Sequence, residues 1–199
     1  MISGPDSRAL RGLALGLFLA TPAYAQQAWG LPQLMQALAR LPAASATFSE
    51  QETSPVLSAP LTSTGSLTYV APGYLHKVTI SPAPEDFVLD HGQITLTSGG
   101  TTHVFTLNQD PRIAGLVEGI SFTLSGDLPG LQNLYTLSLT GTAATWRLHL
   151  VPKDAALARF IRFMVITGTQ NHVTSIDTAS GDGSETRMSI AAVQPSDAP

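Results

Sequence analysis

The sequence predicts a mainly β fold, an antiparallel meander arranged as a barrel, a sandwich or a curved open sheet. Three observations carry this expectation. Apolar residues recur with a period of two along most of the chain, as in Trp146, Leu148 and Leu150. Turn residues punctuate that pattern, most clearly at Ser98-Gly99-Gly100-Thr101 and Asp90-His91-Gly92. Helical apolar spacing is confined to two places, one near the start and one between Asp110 and Asn133. The result is about ten short strands in one domain, with no internal repeat and no low-complexity linker.

Residues 1–25 read as an export signal and lie outside the fold. Arg8 and Arg11 give a positive start, Gly12 to Ala20 a short apolar run, and Ala23-Tyr24-Ala25 a small-x-small cleavage pattern. The run is too short to span about 30 Å of hydrocarbon. Cleavage near Ala25 leaves a mature chain from about Gln26, destined for the periplasm. No cysteine follows the apolar run, so a lipid-anchored form is excluded, and the absence of Cys also removes disulfides, thiolate metal sites and thiol nucleophiles.

Trp29 to Leu41 is the first helix. Leu31, Leu34 or Met35, Leu38 and Leu41 form one apolar stripe, Pro32 sits in the first turn, and Pro42 ends the helix. Extended segments follow at Ala46–Glu52, Thr64–Val70, Tyr74–Ile80 and Asp86–Asp90, then at Gln93–Thr97 and Thr102–Leu107. Between Thr64 and Ile80 the chain turns at Pro72-Gly73, where proline donates no ladder hydrogen bond and glycine tolerates positive φ. In Tyr74–Ile80, Tyr74, His76, Val78 and Ile80 share a face. Pro111 to Gly119 is the second helix, with Ile113, Leu116 and Val117 on one side, Asp110 as its cap and Gly119 as its stop. A short apolar segment, Ile120–Leu124, precedes Ser125-Gly126-Asp127 and a helical turn to Leu134. Strands resume at Tyr135–Thr140, Thr145–Val151, Leu157–Thr167, Val173–Thr178 and Glu185–Ala191, and residues 195–199 form a frayed tail after a domain spanning 26–194.

Composition excludes several function classes. The chain holds 10 Lys and Arg against 14 Asp and Glu, and its only lysines are Lys77 and Lys153. Nucleic acid and anionic membranes both require counter-charge, so neither is an expected partner. Charged residues make up 12% of the chain, about half the usual quarter. The five histidines, His76, His91, His103, His149 and His172, show no metal-ligand spacing, and no GxSxG or EF-hand pattern occurs. No cofactor and no metal are expected. Glu50 with Glu52, and Glu85 with Asp86, are neighbouring carboxylates; solvated strand acids are the simpler reading, and a hydrolase or isomerase using Glu50 or His76 is the catalytic alternative.

Apolar residues are where the excess lies. Phe48, Leu67, Tyr69, Val78, Ile80, Phe87, Leu89, Trp146, Leu148 and Leu150 line one face of the sheet, and Ile113, Leu116, Val117 and Ile120 come from the helical insert. These two sets either close on each other as a core or enclose a cavity for an apolar ligand. Composition leaves both open.

Several segments resemble the LolA family of periplasmic lipoprotein carriers. They are the opening helix with Ala46-Thr47-Phe48-Ser49-Glu50-Gln51, then Gly65-x-Leu67-x-Tyr69-x-x-Pro72-x-x-Leu75, then Phe87-Val88-Leu89-Asp90-His91-Gly92. Leu124-Ser125-Gly126-Asp127-Leu128, Trp146-x-Leu148-x-Leu150-x-Pro152 and Ile176 through Met188 with Gly181-Asp182 complete the series. The resemblance implies an unclosed barrel of about eleven antiparallel strands with a helical lid. It implies a non-enzymatic carrier, whose apolar cavity binds lipid, acyl chains or lipoprotein. It also implies transfer from an inner-membrane donor to an outer-membrane acceptor, by a monomer. The alternative within the same fold is a lipid-sensing or scaffolding partner of an envelope complex. Two departures stand out: Ala71 replaces the carrier's Arg before Pro72, and the chain ends soon after Ile190 without a longer tail.

Overall fold

A computed structural model describes residues 29–193, so the export signal and the tail lie outside the described residues. The chain runs through α1 (Leu31–Leu38), β1 (Ala43–Thr53), β2 (Leu61–Val70), β3 (Tyr74–Ser81), β4 (Glu85–Asp90), β5 (Gln93–Ser98) and β6 (Thr101–Thr106). Then come α2 (Pro111–Ser125), α3 (Leu128–Leu134), β7 (Tyr135–Thr142), β8 (Thr145–Pro152), α4 (Ala155–Ala158), β9 (Ile161–Thr169), β10 (His172–Ser180) and β11 (Glu185–Ala192). Among the described residues, the 11 strands form one antiparallel sheet in the order β6-β5-β4-β3-β2-β1-β11-β10-β9-β8-β7. The edges β6 and β7 do not pair, so the barrel is unclosed, and the segment joining them is helical.

Local sequence explains the turns. Gly99 and Gly100 both take positive φ (57° and 77°), as do His91 and Gly92 (47° and 77°), the geometry that tight hairpins require. Gly73 does not adopt the positive φ expected of it; the Ala71–Pro72 peptide bond is cis.

Three element boundaries differ from the sequence expectation. The first helix ends at Leu38 rather than Leu41, because the residue before Pro42 is kept out of the helical region. The second helix does not stop at Gly119. It takes in Ile120–Leu124 and ends at Ser125, with Gly126 at φ 72° closing it. Gly119 is a packing glycine: a Cβ there would stand 3.2 Å from Tyr135 Cε2 and 3.3 Å from Met164 Cε. Finally, Leu157 lies in the short helix α4 instead of a strand, because the Asp154 carboxylate accepts hydrogen bonds from Ala156 N (2.6 Å) and Leu157 N (3.1 Å).

The main core lies where the helices fill the β7–β9 side of the sheet. Leu34 and Leu38 of α1 and Leu131 of α3 meet Tyr135, Trp146, Leu148, Leu150, Met164 and Ile166, all essentially inaccessible to solvent. Each such large side chain contributes roughly 1.5–3 kcal/mol by burial. A second, smaller cluster of Leu89, Ile94 and Val117 sits on the β4–β6 side.

Candidate ligand cavity

Strand register decides which residues face α2. On β1 every second residue turns inward, giving Ala44, Ala46, Phe48 and Glu50. Residues paired directly across an antiparallel ladder share a face. Ala44 opposes Tyr69 and Ala46 opposes Leu67, while Tyr69 opposes Leu75 and Leu67 opposes Lys77. The row continues through Leu89 opposite Leu75 and Phe87 opposite Lys77. Leu96 and Phe105 extend it across β5 and β6. From above, α2 lowers Ile113, Leu116, Val117, Ile120 and Leu124, a single stripe at helical spacing. Between the sheet face and that stripe lies a cavity of about 420 Å³. Ile176, Met188 and Ile190 of β10 and β11 close its other side.

The structure brings together Leu67, Tyr69, Phe87, Ile113, Leu116, Val117 and Ile120 on this cavity. The remaining expected residues lie elsewhere. Val78 and Ile80 correct the sequence reading: they stand on the opposite face of β3, and Ile80 is 67% exposed. The cause is the three-residue turn 71–73. It pairs Val70 with Tyr74, so an inward Tyr69 fixes an inward Leu75 and turns His76, Val78 and Ile80 outward. Trp146, Leu148 and Leu150 belong to the closed core, because α1 and α3 fill the concavity above them. Trp146 is further held by its indole N–H, which donates to the Gln170 carbonyl at 2.9 Å. Phe48 is buried beneath Lys77 and does not form part of the wall. Leu89 belongs to the smaller core cluster. Sequence reading missed Leu75, Leu96, Phe105, Ile176, Met188 and Ile190; propagating one strand's register to its neighbours would have found the first three.

The wall is mostly apolar but also carries polar residues, among them Ser45, Thr68, Glu85, His172 and Thr178, and two polar features stand out. Lys77 Nζ donates to both carboxylate oxygens of Glu50, at 3.1 and 3.3 Å, and sits 5.0 Å from the centre of the Phe48 ring. Gly65 makes room for that stack, since it opposes Phe48 on the neighbouring strand. Tyr69 is the other: its side chain is buried, and burial pushes its phenol above the ordinary value. His76 Nε2 lies 3.0 Å from Asp86 Oδ2 on the face opposite Lys77, so Glu50 and His76 do not meet.

A second cavity, about 690 Å³, lies between α2 and the turns at residues 71–73 and 91–92. Ala71, Pro72, His91, Glu118 and Phe122 are on its wall. Burial raises the Glu118 carboxyl above its ordinary value. It also raises the Tyr135 phenol, helped by the nearby charge of Glu118. Among the described residues no group of three or more His, Asp or Glu side chains could hold a metal ion. No described helix is long and apolar enough to cross a membrane.

No curated protein matches this sequence. Among solved structures, a LolA superfamily protein from Nitrosomonas europaea aligns at 8% identity over 86% of this chain and 96% of its own, with a TM-score of 0.47. A DUF1329 family protein from Desulfovibrio piger aligns at 12% identity over 85% and 92% of the two chains, with a TM-score of 0.48. The lipoprotein LppX of Mycobacterium tuberculosis aligns at 12% identity over 85% and 97%, with a TM-score of 0.44. Residues 23–198 match the family described as outer membrane lipoprotein carrier protein LolA-like, a span that takes in the whole sheet and every helix above it, and the chain belongs to that family.

Proposed function

We propose that the protein is an exported, non-enzymatic carrier that holds an acyl chain of a lipid or lipoprotein between its sheet and α2. It acts in the periplasm, after cleavage near Ala25, and moves its cargo from the inner membrane towards the outer membrane. The observation that carries this reading is the 420 Å³ cavity, which falls within the roughly 300–1,000 Å³ of small-molecule sites and is walled chiefly by Leu, Ile, Phe and Val. Such a wall rewards a hydrocarbon chain by about 0.8 kcal/mol per buried CH₂. Leu67, Phe87, Ile113, Leu116, Val117 and Ile120 are the proposed contacts.

Catalysis forms no part of the proposal. Both Glu50 and His76 border the cavity, but the Glu50 carboxylate is bound by Lys77 and the His76 imidazole is paired with Asp86. Glu50→Gln and His76→Ala should both leave the protein's cellular role intact.

Native mass spectrometry of protein purified from a periplasmic extract, followed by lipid extraction, tests the carrier reading. A bound lipid in the wild type and its loss in Leu116→Glu are expected. A ligand-free wild type that also fails to bind a fluorescent fatty acid would overturn it. A stable complex with an envelope protein that survives Leu116→Glu would favour the scaffolding role instead.

A further inference from the structure

The end of the sheet that carries the β1–β2 and β3–β4 loops exposes more apolar surface than the fold requires. Nine large apolar side chains are exposed among the described residues, and five of them, Val56, Leu57, Leu61, Ile80 and Phe160, lie at this end. Val56 is the extreme, at 89%. Single apolar residues on a surface are ordinary, whereas a group of them marks an interaction site. The β1–β2 loop is also well anchored. Ser54-Pro55-Val56-Leu57 closes as a β-turn, with Leu57 N donating to the Ser54 carbonyl at 3.0 Å, which puts Val56 at the apex. Pro55 packs beside Gly183, where a Cβ would stand 3.2 Å from its Cγ, and Gly181 N donates to the Phe160 carbonyl at 3.0 Å. These contacts join the β1–β2 loop, the β10–β11 turn and Phe160 into one surface.

Charge decides what this surface fits. Residues 53–61 and 80–84 contain no charged side chain, and the charges adjoining them in the chain, Glu52 and Glu85, are acidic. They give an anionic leaflet no attraction, and they offer a partner protein no charge to set its register. A fluid leaflet without net charge needs neither. The cavity extends to the same end of the sheet, since Glu85 opens β4, Thr186 is the second residue of β11, and both line it. We propose that this end docks on a bilayer surface without net charge, with Val56 and Leu57 dipping into the acyl boundary beside the cavity. The inference rests on the carrier reading and gives that carrier a route by which lipid passes between leaflet and cavity without crossing open water.

Flotation with phosphatidylcholine vesicles tests this, using the wild type and Val56→Ser/Leu57→Ser. The wild type should float with the vesicles, and the double variant should lose about 10-fold or more in partition coefficient. Its affinity for methyl laurate, measured without vesicles by displacement of diphenylhexatriene, should equal that of the wild type. The chain has no cysteine, so a polarity-sensitive fluorophore can be attached at one chosen position. Vesicles should shift its emission to the blue at Val56→Cys. They should leave it unchanged at Val70→Cys, which lies at the far end of β2, about 30 Å from Leu61. A wild type that binds methyl laurate but does not float, a double variant that floats equally well, or tighter binding to phosphatidylglycerol vesicles would each overturn the inference and leave the carrier reading intact. So would a concentration-dependent dimer, lost in the double variant, without flotation, since the patch would then belong to a second copy. A wild type that binds neither vesicles nor methyl laurate would overturn both.

Discussion

Gly65 shows how one residue sets the chemistry of the cavity floor. A Cβ at this position would overlap the Val78 carbonyl oxygen and stand 2.8 Å from Phe48 Cε1. Without it, the Phe48 ring lies across β2 and Lys77 stacks above it to reach Glu50. Gly65→Ala should therefore cost about 1–3 kcal/mol in urea denaturation, the usual range for overpacking. Glu118 makes a second prediction through pH. A carboxyl raised in the folded state binds its proton more tightly there, so its contribution to stability is full below the ordinary value of 4.5 and is lost as pH rises through the raised value. Glu118→Gln removes that loss, and its stability should decline less than the wild type's between about pH 4 and pH 7. Ala71, the departure from the carrier pattern, stands on the same wall as Glu118. An Ala71→Arg variant would bring a guanidinium to that wall and should lower the Glu118 titration midpoint measured by NMR.

At the scale of elements, α2 and β3 show what could and could not be read from sequence. The stripe Ile113, Leu116, Val117 was visible because helical periodicity is local. The continuation through Ile120 and Leu124 was not, because Gly119 carries a helix-stop signal in isolation. Tyr135 and Met164, packed against it from distant strands, explain why a glycine belongs inside the helix. The β3 phase failed for a related reason. Tyr74–Ile80 has apolar or aromatic residues on both faces, so its alternation alone is ambiguous, and the three-residue turn to β2 decides it. The same logic separates core from cavity. Trp146, Leu148 and Leu150 alternate as clearly as Leu67 and Tyr69, and only the helices above them distinguish the two sets. Leu148→Ala should cost about 2–5 kcal/mol, as for a close-packed site. Leu116→Ala, beside an existing cavity, should cost less than half of that by the same denaturation measurement, while weakening lipid binding.

Over the whole molecule, the order of the strands follows from a meander whose first and last strands, β1 and β11, pair with each other, leaving β6 and β7 as separated edges. The class, the approximate strand number and the main helical interruption were legible, because hairpin turns and period-two patterning are short-range properties; the short helix α4 was not. The incomplete closure was legible only through family resemblance, since no local signal states which edges stay apart. That openness gives α2 a concave surface to cover, and the cavity is the space left between them. A ligand that binds this space and not the unfolded chain stabilises the fold by about 2.7 kcal/mol when present at 100 times its dissociation constant. The most direct measurement is the unfolding free energy of the wild type and Leu116→Glu, each with and without saturating methyl laurate. A stabilisation of about that size is expected in the wild type and little or none in the variant. Equal stabilisation of both proteins, or none in either, would contradict it.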